Sequence, residues 1–121
     1  MTKSINNVIA YCKHSNEDER NLFSVEEQLS IIKDYALRNN YQIVKRFFDI
    51  SHNQKSFTGI GISKMLNYII RNPMKIKFLI ITDITRLSCS ASEIVDFKNF
   101  FMSKGIKILV VNPKEAPKHI K

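Results

Sequence analysis

A cation, a histidine and a serine follow directly on an apolar run near the start of the chain. Residues 8–11 are Val-Ile-Ala-Tyr, and after one cysteine come Lys13, His14 and Ser15. A serine hydroxyl is a weak nucleophile, and fixed cations beside it lower both its pKa and the charge that develops in a transition state. A lone serine here is therefore either a turn residue or a nucleophile. The positions of the other predicted strands and helices distinguish the two interpretations.

Short apolar runs alternate with helical stripes along the rest of the chain. Four strands are predicted, at residues 7–12, 41–48, 76–82 and 106–111. Three helices are predicted between them, the first opening at the capping box that runs from Ser24 to Glu27. The pattern predicts one α/β domain over residues 1–121, with three layers, a mostly parallel central sheet of four to five strands and flavodoxin-like winding. Residues 113–121 are predicted to be a loose tail.

Polar residues follow three of the predicted strands. In a parallel sheet, the active crevice lies beyond the carboxyl ends of the strands. That rule brings Ser15, Asp49 and Arg86 to one edge, which favours the nucleophile over the turn. The alternatives remain that Asp49 caps a turn and that Arg86 caps the strand end or pairs with Asp83, rather than binding phosphate.

The composition indicates the charge of the partner and argues against a metal protein, a membrane protein and a secreted protein. The 121 residues carry a formal net charge of +8 and are 44% hydrophobic, which fits a globular protein with a polyanionic partner. The two cysteines give neither a disulfide framework nor zinc-ligand spacing, and the three histidines form no ligand set, so no metal is predicted. No apolar run has the length of a membrane span and no secretory signal is visible. A cytoplasmic protein is predicted.

Four motifs, in this order and spacing, resemble the catalytic domain of the serine site-specific recombinases, the resolvases and invertases. The resemblance covers about residues 7–112. The motifs read Tyr11-Cys12-Lys13-His14-Ser15, Ser24-Val25-Glu26-Glu27-Gln28, Phe48-Asp49 and Thr85-Arg86-Leu87-Ser88-Cys89.

The resemblance implies a reaction and a set of roles. Ser15 is implied as the nucleophile that attacks a DNA phosphodiester and forms a 5′-phosphoserine link, with Lys13 and Arg86 neutralising charge. Asp49, Asp83 and Gln28 are implied as supporting residues. Bond energy is kept in the link, so neither a metal nor a nucleotide cofactor is implied. The implied partners are DNA and further copies of the chain, as a dimer or tetramer, in recombination or integration by a mobile genetic element.

The sequence departs from the family pattern at four positions. Lys13, Gly59 and Cys89 stand where the family has arginines, and Thr85 stands where it has an aspartate. Asp83, two residues earlier, is a possible substitute for that aspartate. Lysine keeps the charge of arginine but loses its planar fork. These departures predict weak or absent cleavage.

Two other functions stay open. One is an inactive recombinase homologue that acts in regulation or through protein contacts. The other, less favoured, is a flavodoxin-like signalling domain, which would need an acidic pair after the first strand where this chain has Lys13 to Ser15.

Overall fold

The computed structural model describes residues 6–15, 24–51, 59–72, 75–87, 90–113 and 116–120. Strands and helices alternate along these residues, except that the last two strands follow each other directly. In chain order the elements are β1 (Asn6–Ser15), α1 (Val25–Arg38), β2 (Tyr41–Ser51), α2 (Ile60–Arg71), β3 (Phe78–Ile81), a 3₁₀ turn (Ile84–Arg86), α3 (Ala91–Ser103), β4 (Lys107–Val110) and β5 (Lys118–Ile120).

The five strands form one sheet in the order β2-β1-β3-β4-β5. β1 is parallel to both β2 and β3, and β3 is parallel to β4, whereas β5 is antiparallel to β4. The predicted α/β class and the mostly parallel sheet are therefore confirmed. The chain order of the strands reverses between β1 and β3, which makes that gap the topological switch point of the sheet.

Both faces of the sheet are buried, as a parallel sheet requires. Alternate residues of a strand point to opposite faces, so each strand contributes to two apolar clusters. One cluster joins the sheet to α1 and contains Val8, Ala10, Cys12, Ile32, Phe78, Ile80 and Leu109. The other joins the sheet to α2 and α3 and contains Ile9, Tyr11, Met65, Leu79, Ile81 and Phe101, among others.

Local chemistry sets the ends of the helices, and the predicted capping box is confirmed. Ser24 and Glu27 form the capping box of α1, each side chain bonding the other residue's backbone N–H. Asn39 caps the far end, and Asn40 follows in the left-handed region with a φ of 60°. Gly105 has a φ of 74° after α3, a conformation that glycine adopts without steric cost.

Two predictions about the strands are wrong. β2 was predicted to end before a loop at Asp49, but β1 and β2 pair from Asn6 opposite Tyr41 as far as Ser15 opposite Ser51, so both strands run longer. The predicted loose tail contains β5, which pairs Ile120 with Ile108 of β4. Parallel pairing and edge pairing extend strands into polar sequence that has no apolar pattern of its own. Within the described residues, no helix is long and apolar enough to cross a membrane.

Candidate active site at the carboxyl edge of the sheet

Two cationic residues meet at the switch point of the sheet. Lys13 lies near the end of β1, and Arg86 lies in the 3₁₀ turn after β3. The Arg86 Nη1 donates a hydrogen bond of 3.2 Å to the carbonyl oxygen of Lys13, and each of the two residues is only 6% exposed. Ser15 ends the same strand, about 7 Å further along the backbone at the usual rise of an extended chain. The fold thus brings these three predicted residues to one edge.

The side-chain amide of Gln28, on α1, forms hydrogen bonds with both backbone groups of Lys13. The Lys13 N–H donates to Gln28 Oε1 at 3.1 Å, and Gln28 Nε2 donates to the Lys13 carbonyl at 2.7 Å. β1 pairs with β3 only from Val8 to Ala10, so this buried amide satisfies backbone groups that lie beyond the end of that pairing. Gln28, together with Arg86, fixes the strand end that leads to Ser15.

Asp49 is an acceptor for groups on two other elements. Its Oδ2 accepts from the Tyr11 hydroxyl at 2.7 Å and from the backbone N–H of Ile62 at 2.9 Å, and its Oδ1 accepts from the N–H of Gly61 at 2.8 Å. The carboxylate therefore caps the N-terminus of α2 from a neighbouring strand, rather than capping a turn. Burial, reinforced by the bond to Asp49, raises the pKa of Tyr11, so its hydroxyl stays a donor.

The space around Asp49 explains two glycines. A Cβ on Gly59 would lie 2.9 Å from Asp49 Cγ, and a Cβ on Gly61 would lie 2.7 Å from the backbone carbonyl carbon of Phe48. Both distances are shorter than van der Waals contact. Gly59 stands where the resemblance implies an arginine, and the Asp49 carboxylate occupies the space that a side chain would need.

The 3₁₀ turn after β3 is capped by Asp83. The Asp83 Oδ1 accepts from the N–H of Thr85 at 2.9 Å and from its hydroxyl at 2.8 Å. The alternative in which Asp83 pairs with Arg86 is wrong, because no ion pair joins these two described residues and the Arg86 Nη1 donates to the Lys13 carbonyl. The hydroxyl of Thr82, which is 2% exposed at the end of β3, has no hydrogen-bond partner in the described part of the chain.

Cys12 is an inert thiol beside this edge. Burial raises its pKa to about 12, although the positive charge of Arg86 acts in the opposite direction. The thiol is therefore protonated at neutral pH and is a poor nucleophile. The predictions for Cys89 and for Ser88 lie outside the described residues. Among the residues that are described, no group of three or more His, Cys, Asp or Glu could hold a metal ion.

Sequence reasoning found the residue types at this edge but missed two of its contacts. Tyr11 and Asp49 are 38 positions apart, and Gln28 and Lys13 are 15 apart, so neither contact has a local sequence pattern. The one available signal was the pair of glycines at 59 and 61, which marks a close approach of backbone and side chain.

The family model described as "Resolvase, N terminal domain" matches residues 8–119, from β1 into β5. No curated protein matches the chain significantly.

Three solved structures share the fold at low sequence identity. The N-terminal catalytic domain of TP901-1 integrase has 19% identity and a TM-score of 0.74, covering 87% of this chain and 76% of the other. The C-terminal catalytic domain of ISC1926 TnpA, an IS607-like serine recombinase, has 22% identity and a TM-score of 0.72, covering 91% and 70%. A resolvase family site-specific recombinase from Streptococcus pneumoniae has 23% identity and a TM-score of 0.74, covering 88% and 72%.

Fold and family match together define the class as a resolvase-like serine recombinase catalytic domain. The chain belongs to the resolvase N-terminal domain family, with the match spanning nearly its whole length.

Proposed function

We propose that the carboxyl edge between β1 and β3 is a DNA phosphotransfer site, with Ser15 as nucleophile and with a weakened set of cations. The observation that carries this proposal is the hydrogen bond from Arg86 to the Lys13 carbonyl. It brings a guanidinium to the peptide two residues before the serine, at the switch point where ligands of such sheets bind.

The reaction follows from the family resemblance. The Ser15 hydroxyl attacks the phosphorus of a DNA phosphodiester, an O–P bond forms, and the bond from phosphorus to the 3′-oxygen breaks. The serine hydroxyl loses its proton and the departing 3′-oxygen takes up one proton, so a 3′-hydroxyl is released and the 5′ end stays on the protein as a phosphoserine ester. Attack by a 3′-hydroxyl on that ester reverses the step and rejoins DNA. Lys13 and Arg86 would offset the negative charge that builds up on the pentavalent phosphorus.

The replaced arginines make this site slow. Loss of one preorganised transition-state donor typically costs about 3–4 kcal/mol, or about 10²–10³ in rate. Lys13 offers a point charge in place of a two-pronged clamp. Gly59 offers no donor, and the adjacent Asp49 leaves no room for one. Thr85, which stands at the aspartate position, donates its hydroxyl to Asp83.

DNA is the proposed substrate and partner, and assembly into dimers or tetramers is proposed from the family resemblance. The net charge of +8 supports a salt-dependent attraction to phosphates. The test is a pool of nicked suicide duplexes, incubated with the chain and with Ser15→Ala, with covalent complexes resolved on denaturing gels. We expect at most a trace of adduct, and only with Ser15 present. Abundant adduct that Ser15→Ala abolishes would contradict the weakened site, and an equal adduct in both proteins would contradict the nucleophile.

A further inference from the structure

A groove at the β2 edge of the sheet is lined by cations, and no acidic residue of the described part of the chain lines it. It lies between the edge strand β2 and helix α2 and has a volume of about 760 Å³. The cations on this face are Lys45 on β2, and Lys64 and Arg71 on α2, whereas Arg46, which alternates with Lys45, faces α1. We call Lys45, Lys64 and Arg71 and the space between them the basic groove. β1 separates β2 from β3, so the groove lies one strand away from the switch point.

The positive charge of the basic groove is not used within the described structure. All three side chains are exposed, and none of them forms an ion pair or hydrogen bond with another described residue. The groove on the opposite, α1 side of β2 differs, because Glu26 and Asp34 line it together with Lys33 and Arg46. The concentration of one sign of charge is therefore specific to the α2 side.

The basic groove combines cations on two walls with an aromatic ring. Lys64 and Arg71 are seven residues apart on one helix, which is about 10.5 Å along its axis. Tyr68 also lines the groove between them. Its ring is half-buried and is held by an edge-on contact with Phe47 at 5.7 Å between ring centroids. A cationic groove with an aromatic face is the arrangement that binds unpaired bases and their backbone.

Other occupants fit less well. A second copy of this chain would bring a protein of charge +8 against a cationic surface. A DNA duplex would offer phosphates but would keep its base faces stacked away from the Tyr68 ring. We propose that the basic groove binds single-stranded nucleic acid, with the three cations on its phosphates and the Tyr68 ring against a base.

The test uses a fluorescent 15-nucleotide oligo(dT) strand and fluorescence anisotropy. The groove variant is Lys45→Glu with Lys64→Glu. The matched control is Lys107→Glu with Lys33→Glu, which also changes one exposed strand lysine and one exposed helix lysine and gives the same net charge. We expect the groove variant to lose at least about tenfold in affinity and the control to lose less than about threefold. Equal losses in the two variants, or no loss in the groove variant, would overturn the proposal.

Salt dependence supplies an independent readout. Three phosphate contacts give a slope of log affinity against log salt of about −2.1 for a single strand, and removal of two contacts should make it shallower by about 1.4. Lys45→Gln with Lys64→Gln, which removes charge without reversing it, should change the slope equally. Thermal melts verify that each variant is folded, and an unchanged slope in both folded groove variants would reject the site.

Two further probes separate the possible ligands. A duplex of the same length should bind more weakly than the strand, and polyglutamate should not displace the strand at equal charge concentration. Equal duplex affinity with the same sensitivity to the groove variant would overturn the assignment to single strands. Displacement by polyglutamate would show a site for acidic chains in general and would also overturn it. Because these measurements involve no covalent step, they are independent of whether Ser15 reacts.

Discussion

The two halves of the carboxyl edge use their polar residues differently. On the β2 side, the Asp49 carboxylate accepts three hydrogen bonds from Tyr11 and from the first turn of α2. On the β3 side, the buried Arg86 donates to the Lys13 carbonyl at the switch point of the sheet. The contacts of the β2 half therefore serve stability, whereas the β3 half is the one that we propose for phosphate chemistry. Four stability measurements test this division, from the largest expected effect to the smallest.

Gly61→Ala should have the largest effect. Its Cβ would lie 2.7 Å from the Phe48 carbonyl carbon and 2.9 Å from Asp49 Oδ2, and backbone atoms cannot yield as a flexible side chain can. We expect a loss of about 3 kcal/mol or more in the free energy of unfolding, measured with urea. Gly105→Ala is the control, since nothing lies within 4 Å and only its φ of 74° opposes a side chain. It should lose about 1–2 kcal/mol, and an equal loss in both variants would show that space at Gly61 is not limiting.

Asp49→Ala should rank second. It leaves the Tyr11 hydroxyl and two backbone N–H groups buried without their acceptor, so we expect a loss of about 2–3 kcal/mol. Tyr11→Phe removes only one donor and should lose about 1.5 kcal/mol. Denaturant midpoints of the two variants give the comparison. A larger loss for Tyr11→Phe than for Asp49→Ala would mean that the carboxylate does not stabilise α2.

Gln28→Met should come third, with a loss of about 2 kcal/mol, because it removes two buried hydrogen bonds to the Lys13 backbone. Gln28→Glu keeps an acceptor for the Lys13 N–H but sets a carboxylate oxygen against the Lys13 carbonyl. Acid protonates the new carboxyl and restores a donor, so its deficit should shrink as pH falls, whereas the deficit of Gln28→Met should not. Parallel pH dependence in the two variants would contradict the paired hydrogen bonds.

Thr85→Val should have the smallest effect. It removes the hydroxyl that donates to Asp83 in a partly buried turn, at a cost of about 1 kcal/mol. Thr85→Ser keeps that hydroxyl and should stay within about 0.5 kcal/mol of the parent. Urea midpoints decide between the two, and indistinguishable values for Val and Ser would show that the Asp83 bond does not stabilise the turn.

The features that could be predicted from the sequence are those that depend on the periodicity of apolar residues and on the order of the elements. Apolar runs placed β1 to β4, the capping box placed α1, and the rule of strand ends brought Ser15 and Arg86 to one edge. The sequence could not predict contacts that only the finished fold creates. The Tyr11–Asp49 bond depends on the long β1–β2 pairing. The contact between Gln28 and Lys13 exists because β1 continues beyond the residues that pair with β3. β5 is a three-residue strand whose existence depends on the edge of β4.

The most direct test of the account needs no knowledge of a DNA site. Bis(4-nitrophenyl) phosphate is an activated phosphodiester, and attack by the Ser15 hydroxyl would release one nitrophenolate and leave a nitrophenyl phosphate ester on the serine. We would measure the mass of the peptide that contains residue 15 in the parent chain, in Lys13→Arg and in Ser15→Ala, with the exposed Ser63 as internal control. If Ser15 is a nucleophile with a weakened set of cations, Ser15 should be labelled slowly in the parent and faster in Lys13→Arg, and Ser63 should not be labelled. Labelling of both serines at equal rates, or no labelling of Ser15 in either Ser15-containing protein, would contradict a nucleophile at this edge.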